Sequence, residues 1–360
     1  MKTYIKFITL LFLKSFFFVF LVTLSLVAIL NILSELDFFK NLFVNTNFII
    51  SLALLNSPSY IFDVFPFIFL LTTQLFFINL FNQNQITIFK YSGLKNSKII
   101  LIISCISLIM GILIITLFYN FSSNFKNIYL KLKSPYTDDG KYLAVVTKNG
   151  LWIRDKFPDR ILIINSSKIE NQNLIDTFIT EFDENYNVIR NIWSNKINII
   201  SSKWIVFSPT IFKGNNYKKL KEGEILELDT SFNYEKIQNL FSDLYSLSLI
   251  ELLDLRKNYE LLNYSTTEIN LHLLKLFSYP FYLILMTILS AVIMLNIKNY
   301  ESSTFKISLG LFLSVLIYYM NNFSNILGKI GKLPLSLSII FPLIILMTIN
   351  GIMLIKINDK

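Results

Sequence analysis

The sequence predicts an α-helical polytopic membrane protein, with six transmembrane helices arranged three plus three and an extracytoplasmic all-β, jelly-roll-like domain inserted between the halves. Three observations predict it. Of 360 residues, 53% are hydrophobic and only 16% are charged, against roughly 25% charged in an ordinary soluble domain. Six apolar stretches reach the length of about 20 residues that crosses about 30 Å of hydrocarbon. Residues 121–270 differ in kind: they hold 19 Lys/Arg and 19 Asp/Glu, so the whole +9 charge falls on the rest of the chain.

The spans run near 10–33, 60–81, 99–119, 271–296, 304–322 and 335–356. The first follows Lys2 and Lys6 like a signal peptide, but its apolar stretch is too long and no small-residue cleavage site follows, so it reads as retained. A shorter apolar run, Leu42 to Leu55, ends at Ser57-Pro58, a helix-start signal, and reads as a separate interfacial helix. One side of the bundle carries Lys2, Lys6, Lys14, Lys90, Lys95 and Lys98, then Lys298, Lys306, Lys356 and Lys360, against Glu301 and Asp359. The other carries Lys40, Lys275, Lys329 and Lys332 against Glu35, Asp37 and Asp63. The positive-inside rule puts the first side, and both termini, in the cytoplasm and residues 121–270 outside. The basicity needs no nucleic acid to explain it.

Residues 121–246 read as β-structure: short runs rich in Ile, Val, Leu and aromatics, broken by turn chemistry. The runs are Tyr142–Val146, Leu151–Ile153 after the Asn149-Gly150 turn, Ile161–Ile164, Leu174–Phe182, Val188–Trp193, Ile197–Ile200, Trp204–Phe207 and Ile225–Leu228. Their spacing suits a sandwich or barrel, and about seven or eight strands would fill a jelly roll. Over residues 247–270 the pattern turns helical, with Leu249, Leu252, Leu253, Leu255, Tyr259 and Leu262 as the apolar set of an amphipathic connecting helix. Residues 271–360 then hold the last three spans.

Composition excludes several chemistries. One cysteine, Cys105, leaves no disulfide framework or thiolate cluster, and one histidine, His272, leaves no His-rich metal site. Lys follows Gly at 140–141, 328–329 and 331–332, but Pro135, Phe323 or Ile326 stands where the phosphate loop needs its first Gly. The chain therefore reads as a non-enzyme that binds no cofactor and no metal of its own. The central thirds of the spans carry no charge, which argues against ion-coupled transport.

The most informative loop, 82–98, lies between spans two and three. Ile86, Phe89 and Tyr91 interleave with polar residues at helical spacing, and Gly93 can end that helix in the left-handed region. Such a helix can insert into a groove on a soluble partner, or lie on anionic lipid anchored by its lysines. Cys105 reads as a packing residue. His272 and Lys275 read as headgroup anchors or as cations facing an anionic ligand. Pro66, Pro280 and Pro342 read as kinks. Trp152, Trp193 and Trp204 read as core or edge residues of the β-domain, or as walls of an acyl-chain groove.

Taken together these stretches resemble the LptF/LptG permeases of lipopolysaccharide export. Ser57-Pro58 with Phe65-Pro66 is similar to that family's proline-containing second span. Gln85-Ile86-Thr87-Ile88-Phe89-Lys90-Tyr91-Ser92-Gly93-Leu94-Lys95 resembles its cytoplasmic segment, with Gln85 where a Glu is usual. Asn149-Gly150-Leu151-Trp152-Ile153-Arg154-Asp155 resembles the start of its β-domain and favours the G over the F type. Ile179–Asp183, Val188–Arg190, Trp204, Gly331-Lys332-Leu333-Pro334 and Phe341-Pro342 follow in the family's order, with Leu335 replacing a second proline.

The resemblance implies a heterodimer with an LptF-like permease, seated on a cytoplasmic LptB-like ATPase dimer that uses the ATP. It implies LptC/LptA-like periplasmic bridge proteins joined to the β-domain, and lipopolysaccharide as cargo, all in a bacterial inner membrane. It makes Gln85, Ile86, Phe89, Lys90 and Gly93 the ATPase-coupling residues, and Lys40 and Lys275 candidate contacts for glycolipid phosphates. Spans one and five would line the lateral opening. The alternatives are a permease for another lipid or lipoprotein, and a non-transporting membrane scaffold with a periplasmic binding domain.

Overall fold

The computed structural model describes residues 3–136, 151–157, 159–170, 172–213, 216–219, 224–234, 237, 243–261, 265–296 and 303–358. The expected strand Tyr142–Val146, the Asn149-Gly150 turn, Leu262, Lys298 and Glu301 lie outside these residues. The chain divides into a membrane unit, residues 1–126 with 267–360, and a sheet unit, residues 127–266.

Before the sheet run α1 (Thr3–Phe38), α2 (Thr46–Asn82), α3 (Gln85–Tyr91), α4 (Asn96–Leu113) and α5 (Tyr119–Lys133). After it run α6 (Leu249–Leu261), α7 (Thr267–Asn296), α8 (Ser303–Lys329) and α9 (Leu335–Asn358). Among the described residues, six helical stretches are long and apolar enough to cross a membrane: Thr3–Phe38, Thr46–Asn82, Asn96–Tyr136, Thr267–Asn296, Ser303–Lys329 and Leu335–Ile357.

Two boundaries differ from expectation. No helix starts at Ser57-Pro58; α2 begins at Thr46, where Asn45 accepts the Asn47 N–H at 3.0 Å as its cap. The apolar run Leu42 to Leu55 is thus mostly the first turns of α2, and Pro58 sits inside the helix. The serines on either side of it bond back to the helix backbone, Ser57 donating to Ala53 O and Ser59 to Asn56 O. Likewise the β-domain does not begin at 121. The third span continues from α4 through a π-helical segment, Ile114–Phe118, into α5, so 119–133 is helix.

Helices α2 and α7 form the centre of the membrane unit. Their most apolar windows are 67% buried, against 17% in α1 and 22% in α8. With lipid as apolar as leucine, helices associate through close packing and interhelical hydrogen bonds, and small polar residues supply both here. Ser107 on α4 and Thr287 on α7 lie hydroxyl to hydroxyl at 2.9 Å, and Ser290 donates to Leu70 O on α2 at 2.8 Å. Gly111 brings α4 so near α7 that a Cβ there would lie 2.9 Å from Pro280 Cα. On the other side of α2, α1 packs by aromatic pairs, Phe12 on Phe76 and Phe16 on Phe69. Cys105 is exposed on α4 and so is not the packing residue expected; the close face of α4 is taken by Ile103, Ser107 and Gly111.

The sheet unit is antiparallel throughout. Its strands are β1 (Leu151–Lys156), β2 (Ile161–Glu170), β3 (Asn173–Phe182), β4 (Val188–Asn198), β5 (Lys203–Phe207), β6 (Thr210–Lys213), β7 (Asn216–Lys219) and β8 (Ile225–Asp229). The order is β1-β2-β3-β4-β5-β8, with β6 and β7 as a hairpin pairing onto β4. The expected run Ile197–Ile200 is no strand of its own: Ile197 and Asn198 end β4, and Ile199 and Ile200 follow it. Period-two alternation fixes the register. One cross-strand row is Ile153, Ile164, Ile179, Ile192 and Ile211, and its first four members are buried. The adjacent row, Trp152, Asn165, Phe178, Trp193 and Thr210, faces outward. Only Trp204 of the three tryptophans is core, fully buried with Nε1 donating to Phe232 O at 2.7 Å; Trp152 and Trp193 are exposed. Glu181 is buried between Arg190 and Arg160, which keeps its charge paired. In α6, Leu252 and Leu255 are buried while Ile250 and Leu253 are exposed, so only part of the expected apolar face is used.

Candidate functional site

Helix α3 is built as a separate element between two spans. Asn84 enters it in the left-handed region at φ 52°, which asparagine tolerates better than most residues. Its end is a Schellman turn: Gly93 N–H donates to Lys90 O at 3.0 Å and Leu94 N–H to Phe89 O at 2.9 Å. Gly93 sits at φ 77°, a conformation that favours glycine.

The short helix has two apolar faces. Ile86 and Leu94 are buried, and the Phe89 ring meets Phe7 of α1 edge-on at 6.2 Å between centroids. These side chains clamp α3 to the membrane unit. The opposite face presents Ile88, 58% exposed, and Tyr91, 89% exposed, with exposed Lys90 and Lys95 close by in the chain. Of the expected contact residues, Ile86 is therefore buried and Phe89 half-buried, while Lys90 and Gly93 are exposed. Gln85 is half-buried, donates from Nε2 to Gln83 Oε1 at 2.6 Å, and its own Oε1 is buried without a partner among the described residues. Sequence spacing missed Ile88 as an outward residue, because a seven-residue helix flanked by apolar positions on both sides does not reveal which side its neighbours cover.

The two candidate phosphate contacts stand in different surroundings. Lys40 is exposed in the turn that follows α1. Lys275, on α7, pairs with Asp63 of α2, Nζ to Oδ1 at 3.1 Å, with the side chains 29% and 39% exposed. The pair stands at a polar pocket between α2, α7, α8 and α9, with a cavity volume of about 50 Å³. Lys40 does not line it. His272 is not a surface anchor: it is buried, and its Nε2 lies 3.0 Å from the Tyr119 hydroxyl. That bond ties α7 to the third span one turn from Lys275.

A second concavity is an open groove of about 400 Å³ with almost wholly apolar walls. Phe16, Phe17 and Phe20 of α1 face Ile114, Leu117 and Phe118 of the π-helical segment across it. It borders span one and span three rather than span five. Among the described residues no group of three or more His, Cys, Asp or Glu is placed to hold a metal.

Among curated proteins no significant match to the chain is found. Against protein families, the match is to "Lipopolysaccharide export system permease LptF/LptG" and covers residues 6–356, both membrane halves and the sheet between them. Six apolar spans with an antiparallel sheet inserted after the third fit that match, and the chain belongs to the LptF/LptG family of lipopolysaccharide export system permeases.

Proposed function

We propose that this chain is an inner-membrane permease subunit that extracts lipopolysaccharide from the membrane, using ATP hydrolysed by a separate cytoplasmic dimer. The observation that carries the reading is α3. It is clamped to the membrane unit by Ile86, Phe89 and Leu94 and turns Ile88 and Tyr91, both well exposed, to the other side. A partner helix groove that accepts one aromatic and one aliphatic anchor would cover them. Both termini and α3 then lie on the cytoplasmic side, which the lysine asymmetry supports, and residues 121–270 lie in the periplasm. A G-type role, pairing with an F-type permease, is supported by Gly150-Leu151-Trp152. The sheet unit serves as a jelly-roll-type module that hands cargo to bridge proteins. Lys40, exposed after α1, and Lys275 meet glycolipid phosphates.

Energy considerations agree with a borrowed motor. Each CH₂ carries about 0.8 kcal/mol of transfer free energy, so drawing several acyl chains from a bilayer needs an external source, and the sequence has no phosphate loop of its own.

The test is ATPase co-purification with the permease pair. Tyr91→Asp should weaken ATPase binding by about 30-fold, the loss of roughly 2 kcal/mol expected at an aromatic anchor, with the membrane unit still folded. Gly93→Val should give a smaller loss, since a β-branched residue at positive φ costs about 1–2 kcal/mol at the helix stop. Undiminished ATPase recovery from Tyr91→Asp would rule out α3 as the docking element.

A further inference from the structure

We infer that the polar pocket between α2, α7, α8 and α9 is a binding site for a lipid headgroup that carries a primary ammonium next to a phosphate. It rests on the reading of Lys275 as a phosphate partner and adds an ammonium subsite built from Asp63 and tyrosines.

The walls combine two chemistries. Tyr279, Tyr282 and Tyr318 contribute aromatic rings, while α8 contributes the amides of Asn321, Asn322 and Asn325. Tyr279 and Tyr282 are buried, and the Tyr279 hydroxyl donates to Phe62 O, which fixes that ring against α2. Three amides within two turns of a membrane helix are costly unless something polar meets them. Asn325 Oδ1 is buried with no hydrogen-bond partner among the described residues. A buried amide oxygen with no partner is an acceptor for an ammonium N–H, and the tyrosines stand around it in the same pocket.

The mouth sets the rest of the headgroup. Asp63 and Lys275 form a 3.1 Å pair and are both partly exposed. A group of net charge zero with adjoining opposite charges can exchange with this pair, phosphate to Lys275 and ammonium to Asp63, and leave neither charge bare. A purely anionic headgroup competes with Asp63 for Lys275 and brings no cation for the carboxylate in return. Hydrogen bonding adds a second filter. A cavity needs about 10–15 Å³ to hold one water, so the pocket, at about 50 Å³, has room for an –NH₃⁺ group. A trimethylammonium group has no N–H to donate to Asp63 or to Asn325 Oδ1.

The experiment is native mass spectrometry of the detergent-purified, full-length protein incubated with equal amounts of phosphatidylethanolamine, phosphatidylglycerol and phosphatidylcholine. Phosphatidylethanolamine should be retained at least about tenfold over either competitor, the discrimination carried by one charge-assisted hydrogen bond. In Asp63→Asn, which removes the carboxylate that would pair with the ammonium, the preference should move to phosphatidylglycerol; a melting temperature near wild type checks that the variant is folded. Equal retention of phosphatidylethanolamine and phosphatidylglycerol, with both lost in Lys275→Met, would overturn the ammonium subsite while keeping Lys275 as a phosphate contact. No retention of any of the three would overturn both. A further incubation with a glycolipid bearing a phosphoethanolamine substituent identifies the source: displacement of bound phosphatidylethanolamine assigns the pocket to both bilayer lipid and cargo, and its absence to bilayer lipid alone.

Discussion

In the membrane unit, α2 and α7 bury Thr72, Thr73, Thr287 and Ser290 as completely as their aliphatic neighbours, while α1 turns Phe17, Phe18 and Leu21 outward. In the sheet unit the buried cross-strand row is aliphatic: Ile164, Ile179 and Ile192 have no exposure, with a few buried hydroxyls such as Thr177 bonded to Ser166 beside them, and the outward row mixes Asn165 and Thr210 with Trp152, Phe178 and Trp193. The two units therefore obtain cohesion differently. The sheet unit gains from removing apolar area from water. The membrane unit gains little that way, because its exposed apolar side chains face hydrocarbon, and it depends on close approach and buried hydroxyl bonds. An exposed phenylalanine on α1 is thus ordinary, whereas an exposed tryptophan on the sheet marks a surface available for contact.

The contrast can be broken most sharply by truncation. Ile179→Ala should destabilise the sheet unit by about 3 kcal/mol, the range for emptying a fully packed core position, whereas Leu21→Ala on α1 should change stability by less than about 0.5 kcal/mol. All three tryptophans, Trp152, Trp193 and Trp204, lie in the sheet unit, so their fluorescence during urea unfolding reports the first variant directly. Comparable losses for both substitutions, the second read from thermal melting in detergent, would mean that the outward face of α1 is packed in the same sense as the sheet core.

A smaller effect sharpens the comparison at a turn of the sheet. Asp183 accepts hydrogen bonds from the Asn185 and Asn187 N–H groups and from Asn187 Nδ2. These bonds, the Asn187 side chain first, lower its pKa from the ordinary 3.8. A lowered folded-state pKa means that the turn's contribution is complete above the unfolded value and fades only as pH falls through the depressed one. Stability of the sheet unit should accordingly show no Asp183 contribution to its pH dependence between about pH 5 and 8, and Asp183→Asn should flatten a slight fall in stability below about pH 4. An unchanged acid limb would show that the turn forms without this carboxylate.

Much of this architecture is legible in the sequence. Hydropathy finds all six spans because membrane length is a strong constraint, and alternation finds β1 to β5 and β8. The errors have physical causes. The start of α2 at Thr46 was hidden by Ser57-Pro58, which is a helix-start signal in water but can be absorbed inside a helix whose backbone must stay bonded. The β6–β7 hairpin was hidden because Thr210–Lys219 is short and lysine-rich, with Ile211 and Phe212 its main apolar pair. Gly93 and the existence of α3 are readable from spacing, but which face α3 buries is set by Phe7 and the end of α2. The Asp63–Lys275 pair joins residues 212 positions apart, a separation no local pattern encodes. Asn321, Asn322 and Asn325 could have been noticed, since amides are expensive in a span and these three fall on neighbouring turns of one helix.

On the function proposed above, α3 is the point where a permease pair takes force from an ATPase. The most direct test is native mass spectrometry of the full-length protein, extracted in detergent after co-expression with its neighbouring genes. The expected complex holds one copy of this chain, one similar permease and two ATPase subunits with glycolipid bound, and Tyr91→Asp should lose the ATPase alone. A lone chain or a homodimer carrying neither ATPase nor glycolipid would contradict it.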